Sequence, residues 1–270
     1  MHFAQLANKL CTNCTDEQMI LTYRLLPMLC SIMSAPEHSS GADLKEAYQA
    51  LRKLLSREGS QVVSELCAND FLPVLEQRLK NKKLIVFTEL LNTLSLFIKR
   101  GEVKHIEQLY FLVPALDNII SDPANNLPIH LAEQCFEELF RKGGVVIEMV
   151  LTYAPEVIDN LCFLVEYTEN NQTIQVTDRS DASISALIQY LFHAQPTQLR
   201  LFKNVYDVAF KLSGRSRNFF ADYVLEALVS ALKRVSCDTG KTFPLLTSVA
   251  QLDLIRLKTF SQRLGLLPDN

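Results

Sequence analysis

Glycine and proline are scarce in this chain, eight and ten among 270 residues. Short strands need frequent punctuation by these two residues, so their scarcity favours helices. An excess of one charge is also missing. Lysine and arginine total 27 and aspartate and glutamate 30, a formal net charge of -3. That balance gives no global attraction to nucleic acid or acidic lipid, and nucleic acid is not an expected partner. No window reaches the roughly 18 uncharged apolar residues of a membrane helix. The stretch from Leu84 to Ile98 comes nearest, and Glu89 and Asn92 interrupt it. Met1 to Leu10 has no long apolar run behind a positive end, so no signal peptide is expected. The seven cysteines are odd in number and fall mostly on apolar helical faces. This suits a reducing compartment, cytoplasm or nucleus, better than a disulfide framework.

Catalytic motifs are missing as well. His2, His38, His105, His130 and His193 are scattered singly. There is no Gly-x-Ser-x-Gly, no His-Glu-x-x-His and no glycine loop of the kind that cradles phosphate. Cys11-Thr12-Asn13-Cys14 has the spacing of half a zinc site, but a structural site needs four ligands and no second such pair follows. Cys30 and His38 would complete a set only if Cys30 left its apolar face. No catalytic residue, cofactor or metal is therefore expected, and the chain is read as a non-enzyme. An enzyme with an unrecognised helical active site is the alternative of another class.

What is present is the period of 3.6, throughout the chain. With 48% hydrophobic and 21% charged residues the chain has an ordinary globular composition and can bury a substantial core. Thr15-Asp16-Glu17-Gln18 reads as a capping box opening a helix through Ile32, split by Pro27. The stretch Ala35 to Gly41 reads as a loop. Helices are then expected over 43–56, over 60–80 with a break near Asn69-Asp70 or at Pro73, and over 83–99. Further helices are expected over 102–120 with a kink at Pro114, over 127–142, and over 145–167 with a hinge at Ala154-Pro155. A polar connection over 168–181 precedes C-terminal helices within 182–265.

An interval recurs in this pattern. Gly59, Gly101 and Gly143 lie 42 residues apart, each behind one or two cations and a long amphipathic helix. Glycine takes the left-handed C-terminal conformation without strain, and cations favour the negative end of the helix dipole. Local helix chemistry explains each ending but not the spacing, and spacings of 40 to 47 residues are those of stacked two- and three-helix repeats. The polar stripes agree. They are Lys45, Gln49, Arg52 and Ser56, then Thr88, Asn92, Ser95 and Lys99, then His130, Gln134, Glu137 and Arg141. Gln49, Asn92 and Gln134 are thus amides at equivalent places, 43 and 42 residues apart.

On these residues the chain resembles the armadillo and HEAT repeat families, most clearly over 43–153. The resemblance implies one all-α domain over 1–270, a right-handed superhelix of stacked repeats. It also implies that the last helix of each repeat lines a concave groove, where many armadillo proteins use an asparagine to clamp an extended peptide. Glutamine stands at two of the three matching places. The resemblance thus implies a scaffold or adaptor whose protein partner, an extended segment or a helix, meets Gln49, Arg52, Asn92, Ser95, Gln134 and Glu137. The alternative of the same class is a constitutive subunit of a larger complex, with Phe219-Phe220 as exposed anchors. Arg57, Lys99, Arg100, Arg141 and Lys142 would fall along one edge of such a stack, first of all as dipole-satisfying cations. Lys211 to Arg217 forms a cationic turn, and Lys233-Arg234-Val235-Ser236 has the form of a basophilic kinase target.

Overall fold

Apolar residues at helical spacing bury a succession of helices against one another. The structure, a computed structural model, describes residues 3–13, 25–34, 40–57, 59–68, 71–80, 86–123, 127–170, 177–195, 198 and 201–212, with 220, 223, 224 and 226. The helices are α1 (Phe3–Asn13), α2 (Leu26–Ser34), α3 (Gly41–Arg57), α4 (Gly59–Ala68), α5 (Phe71–Lys80) and α6 (Phe87–Arg100). Next come α7 (Val103–Ile106), a 3-10 helix (Glu107–Leu112), α8 (Val113–Ile120), α9 (Ile129–Arg141) and α10 (Gly144–Tyr153). The last are α11 (Val157–Asn170), α12 (Thr177–His193) and α13 (Phe202–Leu212). No strand occurs among the described residues, and none of their helices is long and apolar enough to cross a membrane.

The chain divides into two compact units. One comprises Met1–Leu139 and Met149–Val157, the other Phe140–Glu148 and Ile158–Asn270. In the first unit α3 packs against α1, α2, α4 and α6. The helices there form three rows, each stacking its own kind: α1, α3 and α6; α2, α5 and α8; α4 and α7. A similar offset in sequence, 41 to 45 residues, links neighbours in every row. Arg100 Nη2 donates to the Ser56 carbonyl 44 residues back. The buried Arg78 donates through Nε at 3.0 Å to the Met33 carbonyl 45 residues back. Ser64 Oγ and His105 Nε2 meet at 3.3 Å, 41 residues apart. The second unit repeats the interval, since Asn204 donates to Asp159 at 2.7 Å and Lys211 pairs with Glu166 at 2.8 Å, both 45 residues back.

Local chemistry fixes the helix ends. Ser40 Oγ accepts the Asp43 N–H at 3.1 Å and donates to the Asp43 carboxylate at 2.8 Å, which caps α3. Pro27 and Pro73 stand in the first turns of α2 and α5, where a missing N–H costs nothing. Pro27 is the second residue of α2; the segment 14–24, which holds the expected capping box and the part of the expected helix ahead of Pro27, lies outside the described residues. Pro114 opens α8 directly after the 3-10 helix, so the expected kink is a change of helix type.

The three glycines differ. Gly143 has φ +87, the left-handed ending expected of a terminator. Gly101 does not: its φ of -68 and ψ of 146 are extended. Space is short there as well, since a Cβ would lie 2.6 Å from Ile106 Cδ1, the movable tip of that side chain, and 3.2 Å from the Phe97 carbonyl oxygen. Gly59 is the first residue of α4, not a cap. Two further expectations change. Helices α11 and α12 run into the polar stretch 168–181 from both sides. Phe220 is fully buried, so it is no surface anchor, while Phe219 lies outside the described residues. The expected C-terminal helices beyond residue 226, and Ser236, also lie outside them.

The cysteines in these cores are held protonated. Burial pushes the Cys30 thiol up to about 11 and the Cys162 thiol up to about 12, from an ordinary value of 9.0. Cys135, fully buried, is raised as well. In the unfolded chain the same thiols ionise near pH 9, so the stability they contribute is complete below that pH and is lost as pH rises toward the folded values. Each thiol makes the loss about 1.4 kcal/mol per pH unit in that window. Urea unfolding is expected to show a falling midpoint from pH 8.5 to pH 10 and a smaller fall in Cys162→Ala. Identical pH slopes for both proteins would contradict this account.

Candidate protein-binding face

The buried residues of α3 are Leu44, Ala47, Tyr48, Ala50, Leu51, Leu54 and Leu55, and those of α6 are Phe87, Leu90, Leu91, Thr93, Leu94, Phe97 and Ile98. These two sets leave one side of each helix uncovered. On α3 that side carries Lys45, Gln49, Arg52 and Ser56; on α6 it carries Thr88, Asn92, Ser95 and Lys99. On α9 the matching stripe, His130, Gln134, Glu137 and Arg141, is likewise not buried. All six expected contacts thus stand on uncovered stripes. Gln49, Arg52, Asn92, Ser95 and Glu137 are half-buried and Gln134 is exposed.

Contacts between these helices set their register. Arg52 Nη2 meets Glu89 Oε2 at 2.5 Å, and Arg100 near the end of α6 reaches Ser56 near the end of α3. Cys135 Sγ donates to the Leu91 carbonyl at 3.7 Å, and Lys99 faces Glu138 at 3.8 Å. Partners advance together along both helices of each pair, so α3, α6 and residues 129–139 of α9 run parallel. With offsets near 42, Gln49, Asn92 and Gln134 come to equivalent levels on successive helices.

The row extends one helix further than the sequence reading placed it. Asn8 on α1 donates through Nδ2 to Gln49 Oε1 at 3.2 Å and also to the Glu46 carboxylate. Its Oδ1 accepts from Lys53 Nζ at 2.5 Å. Asn8 is a fourth amide, 41 residues before Gln49. The available signal was the spacing of Ala4, Ala7 and Cys11, all buried, which marks the apolar side of α1. A groove of about 420 Å³ opens between Cys11 and Thr12 of α1 and Gln49, Arg52, Lys53 and Arg57 of α3.

The side chains in the row are not equivalent in their bonding. Asn92 folds back on its own helix and donates to the Thr88 carbonyl at 3.0 Å. Gln49 is held by Asn8 of the preceding helix. The cations at the helix ends also act between helices, since Arg57 donates to the Thr12 carbonyl at 3.5 Å just as Arg100 does to that of Ser56. Each guanidinium satisfies a carbonyl in the last turn of the helix before it, the negative end of that dipole. In the second unit Lys211 of the expected cationic turn pairs with Glu166, and residues 213–219 lie outside the description. Of the possible zinc ligands, Cys14 and His38 lie outside it too. Cys11 and Cys30 are buried, and the raised Cys30 thiol opposes the thiolate that a metal would need.

No protein-family model and no curated protein sequence matches this chain. Solved structures do. A designed armadillo repeat protein matches with TM-score 0.65 at 14% identity, over 84% of this chain and 91% of that one. A designed armadillo repeat protein in complex with the peptide (KR)4 matches with TM-score 0.62 at 14% identity, over 88% and 96%. A computationally designed armadillo repeat protein for modular peptide recognition gives 0.61 at 14% identity, over 90% and 99%. At such identity the likeness shows the fold, and the fold is that of stacked armadillo-like helical repeats.

The Arg52–Glu89 pair tests the register across the row. Both side chains are mostly covered, at 25% and 18% exposure, so the pair is partly shielded from solvent. A double-mutant cycle with Arg52→Ala and Glu89→Ala is expected to give a coupling of about 0.5–1 kcal/mol, weaker at high salt. Zero coupling at low salt would contradict the observed register.

Proposed function

We propose that the chain is a non-enzymatic scaffold or adaptor that holds a protein partner against the amide row. The bound element is an extended segment or helix of the partner, in contact with Gln49, Arg52, Asn92, Ser95, Gln134 and Glu137. The observation that carries this reading is recurrence: three parallel helices present an amide at the same level on their uncovered sides. A side-chain amide offers both a donor and an acceptor, the two groups an extended backbone needs. Repetition at one helix spacing suits a ligand that is itself repetitive, as a peptide main chain is. The fold supports the reading, since one designed protein that shares it was solved in complex with a peptide.

Asn92 gives the Thr88 carbonyl one of its two amide hydrogens, and its second hydrogen and its Oδ1 can pair with the partner's main chain. A reading as a constitutive subunit loses Phe220 as an anchor, because it is buried, while Phe219 lies outside the described residues.

The test is affinity capture from native cells with the wild-type chain and with Gln49→Ala, Asn92→Ala and Gln134→Ala combined. Each amide that pairs with a main chain contributes about 0.5–1.5 kcal/mol, so the triple variant is expected to lose most of its partners while keeping its helical circular dichroism. An unchanged set of partners on a folded variant would exclude the row as the binding face.

A further inference from the structure

The amide row carries a second pattern, in charge. One turn beyond each amide stand Arg52 and Lys53 on α3, Ser95 and Leu96 on α6, and Glu137 and Glu138 on α9. The six residues keep the same register as the amides, 43 and then 42 residues apart. All six are half-buried, so they hold equivalent places on their helices. The row therefore runs from basic through neutral to acidic. The cations at the helix ends show no such change, since Arg57, Arg100 and Lys142 share one sign.

These sites already draw groups of opposite charge. Arg52 holds Glu89 at 2.5 Å and Lys99 faces Glu138 at 3.8 Å, both across the stack. At the basic step the groove of about 420 Å³ leaves room for several side-chain atoms of a ligand beside Arg52 and Lys53. Among the described residues Lys53 has neutral partners, Asn8 Oδ1 at 2.5 Å and Thr12 Oγ1, and a carboxylate would bind it more strongly than either.

We propose that the row selects a segment of mixed charge, with an acidic residue against Arg52 and Lys53 and a basic residue against Glu137 and Glu138. This rests on the reading of the row as a peptide-binding face. The spacing follows from geometry. Packed helices stand about 8–10 Å apart, so α3 and α9 are separated by about 16–20 Å. An extended chain rises about 3.3 Å per residue, which sets the acidic and basic residues about five or six positions apart.

The experiment is selection of a randomised short-peptide library on the full chain, counter-selected with the folded triple alanine variant of Gln49, Asn92 and Gln134. Amide-dependent peptides are expected to carry acidic and basic residues about five or six positions apart. In Arg52→Glu with Lys53→Glu, affinity for such a peptide is expected to fall about tenfold or more, and peptides basic at both places are expected to replace it. Glu137→Lys with Glu138→Lys works from the other end and is expected to favour peptides acidic at both places, so a folding failure of one variant leaves the other decisive. Amide-dependent peptides without charge order, or selections unchanged by the reversals, would overturn this proposal and leave the peptide-binding reading standing. Recovery of no amide-dependent peptide would overturn both.

Discussion

Contact between residues about 42 positions apart in sequence is the constraint on which the rest of this structure depends. It is made by different chemistry in each row. Arg100 bonds a carbonyl, Arg78 caps the end of α2 from within the core, and Ser64 meets His105. Apolar burial supplies the attraction between helices but is non-directional, and it does not choose between one register and the next. The polar contacts do, because each is lost if a helix slides by a turn. The buried Arg78 is the most demanding of them, since a guanidinium without its acceptors is costly in the core.

That register turns sequence distance into surface. Residues that recur at the interval share a side of the first unit, so a short motif repeated three times becomes a continuous stripe. The amides and the charge series both arise in this way, and neither is visible on any one helix. The same logic gives the terminal cations two tasks at once. Arg57 and Arg100 satisfy their own helix dipoles and also the last carbonyls of the helix before them. Cations so engaged are part of the stack.

Much of the fold was legible because long helices with large apolar residues give an unmistakable period. The ends of α3, α6 and α9 fell within a few residues of expectation, and the uncovered stripes matched residue by residue. Helix α1 was missed because its buried side is Ala4, Ala7 and Cys11, small residues with little apolar weight. Asn8 was missed with it. Gly101 was expected to be a left-handed cap and is an extended residue beside Ile106 and Val63, tertiary neighbours that local rules do not encode. The role of Arg78 was equally hidden, since its acceptor is a main-chain carbonyl and leaves no trace in the side-chain sequence. Phe220 was read as a surface anchor because adjacent phenylalanines look alike until a fold buries one of them.

Since every surface argument follows from parallel stacking at a fixed interval, the most direct measurement is a distance along the row. Spin labels at positions 49 and 134, on a chain whose reactive cysteines have been replaced, can be read by pulsed electron paramagnetic resonance. Two helix steps of about 8–10 Å each, with the reach of the labels, predict a single narrow distribution between about 15 and 30 Å. A distribution centred beyond about 40 Å would place the two amides on unrelated surfaces and contradict the stack.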